Sequence, residues 1–178
     1  KTEDIKSIEI EKYKASHDSL TGLYNKEYFY SHVHEIVNKN SGIQYCILCS
    51  NIKDFKFINE LFGLKKGDEV LVKVGEFFNE YLEDDSICAR IENDRFALCM
   101  PKEKFNEKAI ISRLNEFQKQ FDNNAFRMHV FIGVYDIENL DEPVSIMCDK
   151  ANIAGDTIKN DYNSYMAYYN NAMLENSI

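Results

Sequence analysis

The stretch CARIENDRFALCMP, from Cys88 to Pro101, sets Glu92, Asn93, Asp94 and Arg95 between two short apolar runs. The pattern predicts a β-hairpin with its turn near Asn93 and Asp94. A turn alone requires only Asn or Gly. Two acids, an amide and a guanidinium at one tip are therefore either a solvated surface turn or what remains of a catalytic site. A second polar set lies upstream in SNIKDFKFINELFGLKKGDE. That stretch holds Asn51, Lys53, Asp54, Lys56, Asn59 and Asp68. Asp68 follows Gly67 and can serve as a helix N-cap, and Asn59 can bond nearby backbone.

Five cysteines raise the question of a metal centre. Cys46 and Cys49 form a CxxC, but within QYCILCSNI, an apolar run with the character of a strand. Residues three apart on a strand face opposite sides, so these thiols diverge. Cys88, Cys99 and Cys148 stand alone in apolar surroundings, and all five read as buried structural thiols suited to a reducing cytoplasm. The four histidines show no ligand spacing with acids or thiols. A net charge of −9 argues against nucleic-acid binding, which requires a basic stripe. No apolar run approaches the ~18 residues of a membrane span, and no signal peptide is visible. The polar opening at Lys1 reads as a cut from a longer protein.

These groups need elements to position them. Residues 1–16 are helix-like, with Ile5, Ile8 and Ala15 on a sparse heptad face that Lys12 interrupts, as at the end of a signalling coiled coil. Asn25 is placed to cap a helix bearing Phe29, Val33, Ile36 and Val37. A core strand follows over 44–52, then a short helix ending at Gly63 and a longer one capped by Asp68, with Val70, Val74, Phe77 and Tyr81 inward. The hairpin strands fall near 86–91 and 96–100. A helix over 104–121 turns Ile110, Leu114, Phe117 and Phe121 inward. A strand over 126–137, a helix over 144–154 and a strand over 164–169 complete the order. A hairpin inside a run of βα units predicts an α/β (α+β) domain with a mainly antiparallel sheet flanked by helices.

Three ordered blocks carry a resemblance. DSLTGLYNKEYF at 18–29, FKFINELFGLKKGDEVL at 55–71 and ARIENDRF at the hairpin are similar to the successive signatures of the diguanylate cyclase (GGDEF) domain family, over roughly residues 17–170. The resemblance implies a nucleotidyl-cyclase, palm-like fold with a five-stranded sheet. It also implies synthesis of cyclic di-GMP from two GTP held by a facing homodimer.

Against the family pattern ARxGGDEF, the tip has decayed. Glu92 and Asn93 put side chains where two glycines let nucleotide approach the backbone. Asp94 keeps the third, acidic position, and Arg95 replaces the essential Glu with a permanent cation. Asn51 replaces the metal-binding Asp of the first strand, and Lys53 replaces the second acid. A site of about three carboxylates is reduced to Asp94, so no cofactor is expected and Mg²⁺ is not expected to bind well. The product-inhibition RxxD aligns with Glu83–Ser86, and a phosphate-contacting Lys aligns with Asp156. Other positions survive. Asn59 and Asp68 match the guanine-binding pair, Lys56 a phosphate-facing Lys, and Asp54 and Phe55 the backbone N–H groups that meet phosphate.

The expected organisation is a linker helix over 1–16, a degenerate GGDEF domain over 17–170 and the start of a connector over 171–178. A sensor or coiled coil is expected upstream and a cyclic di-GMP phosphodiesterase (EAL) domain downstream. Three functions stay open: an inactive regulatory module that binds GTP, a dimerisation scaffold, and an active cyclase with an unusual motif.

Overall fold

The computed structural model describes residues 2–123 and 125–176. Helix α1 (Thr2–Ser16) leads through a tight loop to α2 (Lys26–Lys39). Strand β1 (Tyr45–Ile52) follows, then the helices α3 (Phe55–Phe62) and α4 (Leu64–Asn79). The hairpin is β2 (Ile87–Glu92) and β3 (Arg95–Pro101). After a 3₁₀ turn at Lys102–Lys104 come α5 (Glu107–Lys119), β4 (Val130–Asp136), α6 (Val144–Asp156), β5 (Met166–Tyr168) and α7 (Asn171–Asn176). Lys1, Ser177 and Ile178, at the ends of the expected linkers, lie outside the described residues.

The sheet order is β2-β3-β1-β4-β5, antiparallel except for the β4–β5 pair. Five strands flanked by helices match the expected architecture. β1 lies at the centre, so both its faces are covered and its alternation sorts residues between two cores. Cys46, Leu48 and Ile52 join Val70, Val74 and Phe78 of α4 and Leu114 of α5. Tyr45, Ile47 and Cys49 join Phe29 and Val33 of α2 and Met147 and Ala151 of α6. The CxxC thiols thus point to opposite cores, and all five cysteines are free and buried.

Several expected boundaries move. Asn25 does cap α2, its side chain accepting from the Tyr28 N–H at 2.9 Å. Asp68 caps nothing: Gly63 turns the chain at φ +88°, α4 starts at once with Leu64, and Asp68 lies inside the helix. Asn106 caps α5, accepting from Ala109 N–H, so that helix begins at 107 rather than 104. β4 begins at Val130 rather than 126, because Asn123 closes a local turn onto Phe126.

α6 packs against β4 at a glycine pair. A β-carbon on Gly133 would lie 1.7 Å from the Ala151 carbonyl oxygen, and Gly155 lies against the Gly133 backbone. Only glycine permits this approach.

Candidate functional site

Asn51, at the end of β1, and the polar residues of the hairpin tip meet at one end of the sheet, where β1 stops and the hairpin turns. The Asn93 backbone sits at φ +44°, the left-handed region that Asn tolerates, and it closes the turn as expected. The Asp94 carboxylate bends back to accept the Ile52 N–H at 2.8 Å, which anchors the tip to the end of β1. Burial raises the Asp94 pKa above its ordinary value, against the pull of that hydrogen bond and of Arg95 and Arg90.

Arg95 pairs with Glu92. Its Nη1 lies 3.7 Å from Glu92 Oε1, in a pair more than half exposed and therefore worth little. Asn51 projects from β1 towards α6 and donates from Nδ2 to Asn152 Oδ1 at 3.3 Å. Lys53 Nζ donates to Asn160 Oδ1 at 2.6 Å. Among the described residues no group of three or more His, Cys, Asp or Glu side chains could hold a metal ion. The donors present do not fit one: a single carboxylate already engaged by backbone, an amide engaged by a second amide, and an adjacent guanidinium.

Asp54 adopts φ +53° at the start of α3, and its side chain makes no cap hydrogen bond there. Phe55 opens the helix, and Lys56 is exposed with Nζ 5.5 Å above the Phe57 ring. Asn59 is packed onto α4: a β-carbon at Gly67 would fall 1.8 Å from its Oδ1. Asp68 follows Gly67 and is exposed. Asn59 of α3 is thus seated against Gly67 of α4, and Asp68 is the next residue along that helix. Where the product-inhibition motif is expected to align, Glu83 and Asp85 both pair with Lys104, at 2.6 and 2.9 Å. Asp156 is exposed at the end of α6.

Sequence reasoning missed Arg90 and Asp18, although both lie in motifs already singled out. Arg90 Nε donates to the Asn93 carbonyl at 2.8 Å, and its Nη1 meets Asp18 Oδ1 at 3.2 Å. Its backbone N–H donates to the Tyr24 carbonyl at 3.0 Å. One residue thus ties the hairpin tip to the loop ahead of α2. The signal available was charge: Arg90 is a lone cation on an apolar strand and needs a partner.

Burial pushes the Asp18 carboxyl up, but two hydrogen bonds from Thr21 and the Arg90 guanidinium outweigh it and leave the pKa lowered. A depressed carboxyl stabilises the fold above its ordinary value of 3.8 and stops doing so as pH falls through its lower folded value. Asp94, raised, has the opposite sign: its contribution declines as pH climbs from 3.8 through its folded pKa. Asp18→Asn is expected to cost about 1–2 kcal/mol near neutral pH. Urea unfolding of both forms should show the gap narrowing below about pH 4. A gap independent of pH would show that the charge on Asp18 is not what holds Arg90.

Comparison with known proteins follows this geometry. A model of the family described as diguanylate cyclase, GGDEF domain, matches residues 15–164. The probable diguanylate cyclase DgcE of Escherichia coli is 26% identical over 166 residues, 89% of this chain but 15% of that protein. The cyclic di-GMP phosphodiesterase NbdA of Pseudomonas aeruginosa is 30% identical over 128 residues, 67% of this chain and 16% of that protein. The chain therefore spans a small part of these relatives. The coiled coil and GGDEF domain of DgcB from Caulobacter crescentus, solved with c-di-GMP, superposes with a TM-score of 0.75 at 19% identity. It covers 94% of this chain and 93% of that one.

Proposed function

The chain belongs to the diguanylate cyclase GGDEF-domain family, and from that premise we propose that it is a member without cyclase activity, acting as a GTP-responsive regulatory module in cyclic di-GMP signalling. The observation that carries the reading is the state of the metal end. Asp94 is bonded to Ile52 N–H and Asn51 to Asn152, and Arg95 stands where the family has its essential Glu. Phosphoryl transfer to a ribose hydroxyl needs cations at both the attacking and the leaving oxygen. These side chains supply none of the acidic ligands beyond Asp94. The base corner is the part retained, with Asn59 seated on Gly67 and Asp68 beside it.

GTP is expected to bind weakly and without Mg²⁺, guanine on Asn59 and Asp68, phosphates near Lys56 and the start of α3. Arg95 is free to swing from Glu92 towards the phosphates in place of a metal. Asp68→Ala should weaken GTP by about 1–3 kcal/mol, or roughly five- to 150-fold. Gly67→Ala should weaken it as well, because its β-carbon displaces Asn59. Calorimetry with GTP and ATP, with and without Mg²⁺, tests this. ATP binding as tightly as GTP, or Asp68→Ala without effect, would favour the dimerisation scaffold.

The context belongs to the same proposal: a cytoplasmic domain with a sensor or coiled coil ahead of it and an EAL phosphodiesterase domain behind. Support comes from NbdA, a phosphodiesterase by name, of which this chain matches 16%. In such a protein GTP here biases the neighbour's equilibrium if its two states differ in GTP affinity. Hydrolysis of cyclic di-GMP by the full-length protein, measured with and without GTP, reads the coupling.

A further inference from the structure

The sequence repeats a five-residue string, Tyr-x-x-Ser-His, at Tyr13–His17 and again at Tyr28–His32. Both copies adopt the same local structure. In the first, Ser16 Oγ lies 2.8 Å from His17 Nδ1, which lies 3.1 Å from the Tyr13 carbonyl oxygen. In the second, Ser31 Oγ lies 2.9 Å from His32 Nδ1, which lies 2.9 Å from the Tyr28 carbonyl oxygen. A carbonyl only accepts, so Nδ1 carries the proton in each case. The contact folds each imidazole back over the Tyr one turn earlier, with centroids 3.8 Å apart in both copies.

Tyr24 joins the two. Its ring centroid is 4.8 Å from His17 and 4.0 Å from Tyr28. The result is one continuous column, Tyr13–His17–Tyr24–Tyr28–His32, running from the last turn of α1 across the loop onto α2. Otherwise α1 has no buried residue along its length, and its last turn is held by Asn25, whose Nδ2 and backbone N–H donate to the Ala15 and Ser16 carbonyls at 2.9 Å. Its phase matters to the column: turning the helix by one residue, about 100°, carries Tyr13 and His17 off Tyr24. The middle ring also stands on the tip's support, because the Tyr24 carbonyl accepts the N–H of Arg90, whose Nε holds the Asn93 carbonyl.

We propose that this ring column is the element through which the rotational position of α1 is transmitted to the hairpin tip, by way of Tyr24 and Arg90. It specifies how the regulatory reading above receives its input, and so rests on that reading. Its test needs no nucleotide, so the two fail separately.

Tyr24→Leu removes the central ring and leaves the backbone bond to Arg90 available. Hydrogen exchange of the full chain should then speed up roughly ten-fold at residues 13–17 and also at 92–95, with α4 and α5 unchanged. Tyr24→Phe keeps the stack and should exchange like the parent, while Ile5→Ala, outside the column, should leave the tip unchanged. Acceleration confined to α1, or a Tyr24→Phe variant as loose as Tyr24→Leu, would overturn the proposal. If Tyr24→Leu fails to fold, His17→Leu breaks the column at its α1 side and must loosen 92–95 in the same way.

Discussion

Incubated overnight with GTP and Mg²⁺ or Mn²⁺, the domain is expected to form no cyclic di-GMP. A divalent cation about 4 Å from the Arg95 guanidinium would meet about 8 kcal/mol of repulsion at an effective dielectric of 20. Arg95 can relieve this by staying against Glu92, where it already leans. The remaining ligand set would still be Asp94 alone, and that carboxylate holds Ile52 N–H and titrates above its ordinary value because it is buried. Arg95→Glu by itself should not restore turnover. Asn51 still offers an amide tied to Asn152, and Glu92 and Asn93 still crowd the approach of nucleotide to the turn. Chromatography of the reaction is the check. Product above a boiled control, from the parent or from Arg95→Glu, would mean that a working metal site assembles from these residues.

Gly133→Ala is expected to be the most damaging small substitution in the domain. The added methyl would fall 1.7 Å from the Ala151 carbonyl and 2.6 Å from the Gly155 N–H, both backbone atoms that no rotamer change can move. Relief requires α6 to shift off β4, which loosens the packing of Met147, Cys148 and Ala151. Overpacking of this kind costs about 3 kcal/mol or more. Urea unfolding should show the midpoint falling without a change in slope. Ala151→Gly removes a methyl but not the obstructing carbonyl, so it should not rescue. A Gly133→Ala domain within about 0.5 kcal/mol of the parent would mean that α6 sits further from the sheet than described. The substitution also reaches the site, because the close approach of α6 sets Asn152 opposite Asn51.

The hairpin, the central strand with its divergent thiols and the Asn25 cap were legible in the chain, because each depends on local pattern: period-two alternation, turn residues, a capping side chain. The residue identities at positions 51, 92, 93 and 95, on which the proposal of an inactive domain rests, are likewise read from the chain, at a fixed spacing within matching motifs. One local reading misled. Asp68 after Gly67 has the form of a cap, but Gly63 takes over the turn between α3 and α4 and places Asp68 in mid-helix. Other features came only from the tertiary structure. Asn51 and Asn152 are 101 residues apart, Arg90 and Asp18 are 72 apart, and Ile52 and Asp94 are 42 apart. The first and last pairings follow from a sheet order that lays β1 between β3 and β4 and seats α6 over it, and the second from the pairing of the loop ahead of α2 with the edge of β2. A polar side chain in a sequence has many partners of equal chemistry, and its choice among them is made by which backbones the packed cores bring within hydrogen-bonding distance. The same holds for the aromatic column. Its two Tyr-x-x-Ser-His strings are plain in the chain, but the Tyr24 ring that connects them is placed by the loop's pairing with the edge of β2.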